Sequence, residues 1–240
     1  MYLKRRPTGL SKPNRIPEVD AARGICVAGM ILVHFIYDLT EIYRLPVLKD
    51  PRLFLLVKER GGAVFFLISG ISAVLGSRHL RRGLLVLICA GVVTLATVLW
   101  GDPVRFGTLH CLGASMLCWE VFRRIDTPSL VTFGALFAAL GPVLGSKTVE
   151  FPFLYPLGLT APGFASADYF PLLPYLGFFL LGAAAGRRLY KERRSLLPKR
   201  SFSGYFSRFC RFCGRHALFL YLIHQPALIV LIEAFRRSFL

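Results

Sequence analysis

The chain is poor in acids: across 240 residues, 13 Asp and Glu stand against 30 Lys and Arg, a formal net charge of +17. Such an excess often marks a nucleic-acid binder. Here the basic residues lie between apolar blocks, so no nucleic acid is expected as a partner. Other signatures are missing too. There is no glycine-rich phosphate loop, no GxGxxG following a strand, no GxSxG elbow and no HExxH, which removes the commonest nucleotide, hydrolase and zinc-protease sites. There are no heptads and no internal repeat, so coiled coils and repeat-built transporters find no support. The six cysteines include one C-x-x-C, Cys210 to Cys213, without a second pair or ligands at finger spacing. No metal is therefore expected, and packing is the expected role of the remaining cysteines. The first twenty residues, MYLKRRPTGLSKPNRIPEVD, contain charge and proline but no short apolar core ending in a cleavage site. They read as a basic cytoplasmic segment, residues 1–20, rather than as a cleaved signal.

What the chain does contain is apolar surface. It is 55% hydrophobic, with a mean hydropathy of +0.56, too apolar for an ordinary soluble domain. Seven blocks have the length needed to cross a ~30 Å hydrocarbon core: 21–39, 61–77, 83–101, 106–122, 128–146, 169–186 and 216–235. The expected fold is all-α, a polytopic membrane helical bundle of about seven transmembrane helices forming one domain over residues 21–240. Glycines Gly70, Gly91, Gly113, Gly134 and Gly182 suit close helix approach in lipid. With the N-terminus cytoplasmic, 21 of the 30 Lys and Arg fall inside and nine outside, the asymmetry the positive-inside rule demands. Only Arg236 and Arg237 run against it. A multi-pass protein of a cell membrane, bacterial and cytoplasmic, is the expected setting, with membrane lipids as surroundings.

The stretch 20–39, DAARGICVAGMILVHFIYDL, places costly groups in an apolar helix. Arg23 and His34 are eleven positions apart, about three turns, so they share a face roughly 16 Å apart along the axis. Asp38, one turn beyond His34, joins that face. Ionisable groups inside a span are functional by default. On the inner side, SRHLRRG holds Arg78-x-x-Arg81, a spacing that puts two guanidinium groups on one face of a helix end and makes either a positive-inside anchor or a docking patch for a phosphorylated ligand. On the outer side, WGDPVRFGTLHCLG gathers Asp102, Arg105 and His110, and His110 reads equally as a packed core residue or as part of a site. The outer segment 147–168 forms a lid or a re-entrant hairpin, and Asp168 at its end is a helix cap or faces the cavity. Residues 187–215 are the most basic; Tyr205, Phe206, Phe209 and Phe212 would enter the interface while arginines meet anionic headgroups. In the last block, LYLIHQP sets His224 mid-helix, two residues before the helix-breaking Pro226.

The segments EVDAARGICVAGMILVHFIYDL, FFLISGIS, RFGTLHCLG, SADYFPLLPYLGFFLLG and GRHALFLYLIHQP resemble the catalytic-domain family of heparan-α-glucosaminide N-acetyltransferase, in its small bacterial members. They are also similar to the wider transmembrane acyltransferase group, in which an Arg, ten intervening residues and a His mark the first helix. Arg23 and His34 match that pattern, and Arg78-x-x-Arg81 is similar to its second arginine motif. The resemblance implies acyl transfer from cytoplasmic acyl-CoA (acetyl-CoA) to an extracytoplasmic acceptor, a glycan hydroxyl or amine. It implies a CoA site at Arg23, Arg78 and Arg81, with His34 as general base or acyl carrier and Asp38 as its orienter. Arg105, His110, Asp168 and His224 would face the acceptor. The loop 40–60 lacks the histidine that accepts the acyl group in the heparan enzyme, so that enzyme's own reaction is not carried over. The chain is short for the group, which suggests a minimal core, a homo-oligomer or a partner subunit. The alternative is a non-catalytic membrane protein, a small transporter or an assembly partner, whose polar faces would line a path or a subunit seam.

Overall fold

The computed structural model describes residues 15–44 and 50–239. The N-terminal segment expected to be basic and cytoplasmic lies largely outside these residues. Among the described residues eight α-helices follow one another: α1 (Pro17–Tyr37), α2 (Pro51–Leu75), α3 (His79–Trp100), α4 (Thr108–Phe122), α5 (Thr127–Gly145), α6 (Leu172–Leu189), α7 (Tyr205–Arg215) and α8 (Ala217–Phe239). Among the described residues there is no strand, only two isolated bridges, Phe106 with Tyr169 and Thr148 with Thr160. The fold is all-α and that of a membrane protein. Helices α1, α3, α5 and α8 are long and apolar enough to cross a membrane by length and composition.

Each expected block has a helix, but the boundaries shift. The largest shift is at α2, which starts at Pro51 behind an Asp50 side chain that accepts the Arg52 N–H. Part of the expected outer connection, 40–60, is therefore helix. Proline at the first turn and an aspartate before it are a strong start signal, here overlooked because Arg52, Lys58, Glu59 and Arg60 break the apolar run. At the other end of that connection α1 does not stop at Tyr37. It loosens into a π-helical turn, Asp38–Ile42, closed by Tyr43 N–H on the Asp38 carbonyl at 3.0 Å. Such turns are uncommon and cluster at functional sites.

Side-chain contacts fix the helix directions. Arg23, early in α1, bonds to Ser72, late in α2. Lys58, early in α2, meets Asp168 just ahead of α6, and Thr108 at the start of α4 bonds to the same carboxylate. Arg187, late in α6, bonds to the carbonyl of Ile125 ahead of α5. So α1, α3, α5 and α8 run one way and α2, α4 and α6 the other. The ends define two poles: a basic one around Arg23 and a histidine one around His34.

Paired glycines bring the tightest helix neighbours together, as lipid-embedded packing requires. A Cβ on Gly70 of α2 would strike the Phe179 carbonyl of α6, and one on Gly182 of α6 would strike Leu67 of α2. Gly24 of α1 and Gly214 of α7 oppose each other's backbone in the same way. Gly91 is the exception among the glycines read as packing positions: it has nothing within 4 Å. The main core, with Phe66, Trp119, Leu130, Phe170, Tyr175 and Phe179, lies along α2, α4, α5 and α6. Segment 147–168 folds as a compact cap, tied down by Tyr169 O–H on the Tyr155 carbonyl at 2.7 Å and Arg105 N–H on Ser166 Oγ at 3.1 Å.

Candidate active site

The histidine pole gathers polar side chains from five parts of the chain. Asp168, buried, is the hub. Its Oδ2 accepts the Thr108 N–H at 3.0 Å, the Thr108 hydroxyl at 3.2 Å and the Tyr221 hydroxyl at 3.4 Å, and its Oδ1 lies 3.3 Å from Lys58 Nζ. The two sequence readings of Asp168 thus merge: it caps a helix, but that helix is α4 rather than its neighbour α6, and it also faces the cluster. Lys58 Nζ lies over the Phe170 ring, 5.2 Å from its centroid, a cation–π contact.

Above this hub two imidazoles meet. The rings of His34 on α1 and His224 on α8 are 4.9 Å apart, edge to face. The Asp168 carboxylate acts electrostatically on both. His224 Nδ1 is 2.6 Å from the Tyr221 carbonyl, an atom that can only accept, so Nδ1 carries the proton and Nε2 the lone pair. One step further along, Gln225 Nε2 donates to Asp38 Oδ1 at 2.7 Å, clasping α8 to the π-helical turn of α1. Asp38 has no exposed surface. The partner of Asp38 is thus Gln225 on α8, where helical spacing had suggested His34. Three atoms here are enclosed without a hydrogen-bond partner in the protein: Asp38 Oδ2, Gln225 Oε1 and His224 Nε2. Unsatisfied buried polar atoms are scarce in folded proteins because each costs desolvation without return.

His110 and Arg105 sit at the edge of this cluster. His110 Nδ1 accepts the Gly107 N–H at 3.3 Å, and its Nε2 is 3.3 Å from Thr94 Oγ1, whose own hydroxyl donates to the Val104 carbonyl at 2.6 Å. Both ring nitrogens are thus engaged in closing the turn between α3 and α4. Arg105 is exposed, its guanidinium over the Phe164 ring of the cap at 5.6 Å.

At the basic pole, Asp20 is buried among arginines: Arg215 at 3.5 Å, Arg23 at 3.6 Å and Arg15 at 4.0 Å. Arg23 also donates to the Gly214 carbonyl at 3.3 Å and to Ser72 Oγ. Arg78 and Arg81 are exposed. Arg78 precedes α3 with φ +59°, a left-handed conformation that turns it out of the helical register the spacing assumed. Arg82 is the neighbour within electrostatic reach of Arg23. Cys210 and Cys213 are free, buried and turned towards α1, while Tyr205, Phe206, Phe209 and Phe212 of the same helix are exposed. Among the described residues no group of three or more His, Cys, Asp and Glu is arranged to hold a metal ion.

Sequence reasoning missed Lys58, Thr108, Tyr221, Gln225 and Arg82. Gln225 and Tyr221 carried a readable signal, being polar neighbours of His224 in an apolar helix. Lys58 lies among charged residues whose pattern reads as a connection, although the segment is the start of α2.

The family model for heparan-alpha-glucosaminide N-acetyltransferase, catalytic, matches residues 15–226, a span that runs from Arg15 of the basic pole to the residue after Gln225. The chain belongs to that family. No curated protein and no solved structure matches it.

Proposed function

From this membership we propose that the protein is an integral-membrane acyltransferase that moves an acyl group from acyl-CoA, acetyl-CoA in the first instance, to an acceptor at the opposite pole. The acceptor class is a sugar hydroxyl or amine. The observation that carries the reading is the pair of imidazoles at the histidine pole, beside a buried carboxylate and enclosed atoms without partners. Groups held unsatisfied at such cost are explained by a reaction they serve.

In this reading Arg23, Arg78 and Arg81 receive the phosphates of the donor, bidentate guanidinium–phosphate contacts being the natural chemistry. Arg82 joins them. The donor's thioester arm then spans the roughly 16 Å from Arg23 to His34. His34 acts on the thioester as general base or transient acyl carrier, and Asp38 steadies α1 beneath it through Gln225. Asp168, His224, His110 and Arg105 face the acceptor, under the cap formed by 147–168. Seven crossings, with the basic pole cytoplasmic, are supported by the alternating direction of α1 to α6 and α8 and by the lysine and arginine bias. Such a donor on one side and acceptor on the other fits the membrane of a bacterial cell.

The test uses purified protein in lipid nanodiscs with radiolabelled acetyl-CoA and a panel of amino sugars and hexoses. The native chain is expected to bind acetyl-CoA and label an acceptor. His34→Ala should melt at the native temperature and bind acetyl-CoA, yet lose turnover by about 10²–10⁴-fold. Full activity in that variant would sink the reading.

A further inference from the structure

We propose that His224 is the proton partner of His34, taking the role that helical spacing suggests for Asp38. The inference rests on the acyl-transfer reading and assigns a positioning residue within it.

Three observations carry it. The Tyr221 carbonyl, 2.6 Å from Nδ1, fixes the ring proton there and leaves the Nε2 lone pair available. Nε2 is enclosed and has no hydrogen-bond partner in the protein, which a histidine serving only as packing would not leave so. The nearest ring is His34, its centroid 4.9 Å away and edge-on. The obvious competitor is turned elsewhere: Asp38 Oδ1 is held by Gln225, and its Oδ2 makes no hydrogen bond to any protein group, His34 included. The charged groups facing the pair are Asp168, which acts on both rings, and Lys58 of α2, which acts on His34. On its own helix His224 meets only the backbone carbonyls of Leu220 and Tyr221 besides the Tyr221 ring.

The chemistry balances. A His34 nitrogen adds its lone pair to the thioester carbonyl carbon, and the carbon–sulfur bond breaks with its electrons leaving on the CoA thiolate. The acyl-imidazolium passes its ring N–H proton to His224 Nε2. The acceptor's oxygen or nitrogen then adds to the acyl carbon, the bond to His34 breaks, and His34 regains its proton from His224. The proton lost by the acceptor ends on the thiolate.

The experiment measures acetyl transfer against pH by the full chain in nanodiscs, native and His224→Gln. The variant is expected to lose kcat by about 10²-fold or more with little change in KM for acetyl-CoA. The acid limb of log kcat against pH should fall in slope from about two to about one, as one of two imidazoles that must be neutral is removed. Added imidazole should restore part of the activity of His224→Ala. Solid-state ¹⁵N spectra of the native protein should show His224 protonated at Nδ1 and bare at Nε2, and this readout stands even if neither variant folds. Native kcat and an unaltered acid limb in His224→Gln, or the opposite tautomer, would overturn the proposal while leaving acyl transfer standing. A native protein that neither binds acetyl-CoA nor labels any acceptor would overturn both.

Discussion

The two poles spend charge in opposite ways. At the basic pole the buried ions are paired: Asp20 meets three arginines, and Arg23 meets a carboxylate, a carbonyl and a hydroxyl, while Ser207 Oγ and Arg211 Nε on the neighbouring α7 are enclosed without a partner. At the histidine pole the network is left open at His224 Nε2, Asp38 Oδ2 and Gln225 Oε1. A closed network of ions and hydrogen bonds fixes helices against one another; an open one is a cost to stability that function must justify. On the proposed reading the Asp20 cluster is first a brace that joins α1 to α7, and the His34 cluster first the place of chemistry. Arg23, the residue the sequence motif puts forward, is committed to other groups of the protein, whereas Arg81 and Arg82 are exposed.

The largest effect that could break this contrast comes from Asp20→Asn. Removing the carboxylate leaves Arg23, half-buried, without its counter-charge and next to two further guanidinium groups. Breaking a buried pair from one side costs about 3 kcal/mol. Arg15 and Arg215 are largely solvated and add little to that. The variant should melt well below the native protein in nanodiscs, with reduced activity only in proportion to the folded fraction. An Asp20→Asn protein that melts normally but no longer binds acetyl-CoA would make the pole a binding site and not a brace.

How much of this was readable beforehand follows from separation along the chain. The face shared by Arg23, His34 and Asp38 is local, set by helical geometry, and helix α1 carries all three. So is the amphipathic α7, whose four aromatic residues are exposed while its cysteines pack inward. What the sequence hid is pairing between distant segments. Nothing local says that Asp168 will cap a helix sixty residues earlier, or that Gly24 and Gly214 will meet. The π-helical turn at Asp38 was equally hidden, and the side chain that clasps it, Gln225, lies on the last helix. Charge also misled: four ionisable residues in the first turns of α2 read as loop, when one of them, Lys58, is the counter-ion of the hub. At Arg78, one left-handed residue displaced the arginine pair from the face that its spacing implied.

A second, smaller effect tests the exposed arginines. Arg81→Ala combined with Arg82→Ala removes two exposed guanidinium groups, so the melting temperature should not move. If they receive phosphate, the KM for acetyl-CoA should rise about tenfold with kcat nearly unchanged, the loss of a charge-assisted contact. The effect should shrink as salt is raised, since exposed charges are screened. A rise in KM for Arg23→Ala accompanied by a fall in melting temperature would complete the contrast between committed and available arginines.

The smallest effect is also the most revealing of why the histidine pole is built open. Asp38→Asn keeps an oxygen for the Gln225 amide and replaces the unpartnered Oδ2 by an NH₂ group. That group has an acceptor at hand, because Gln225 Oε1 is itself enclosed and unpartnered. Two amides joined by reciprocal hydrogen bonds would satisfy both orphans and remove a charge from a site with no exposed surface. The variant is therefore expected to match the native melting temperature or exceed it, by an amount equivalent to roughly 1 kcal/mol. A gain in stability together with a loss of turnover would show that the native carboxylate is kept against the interest of the fold. A clear loss of stability would mean that Oδ2 has a structural partner after all, and the distinction between the two poles would narrow to His34 and His224 alone.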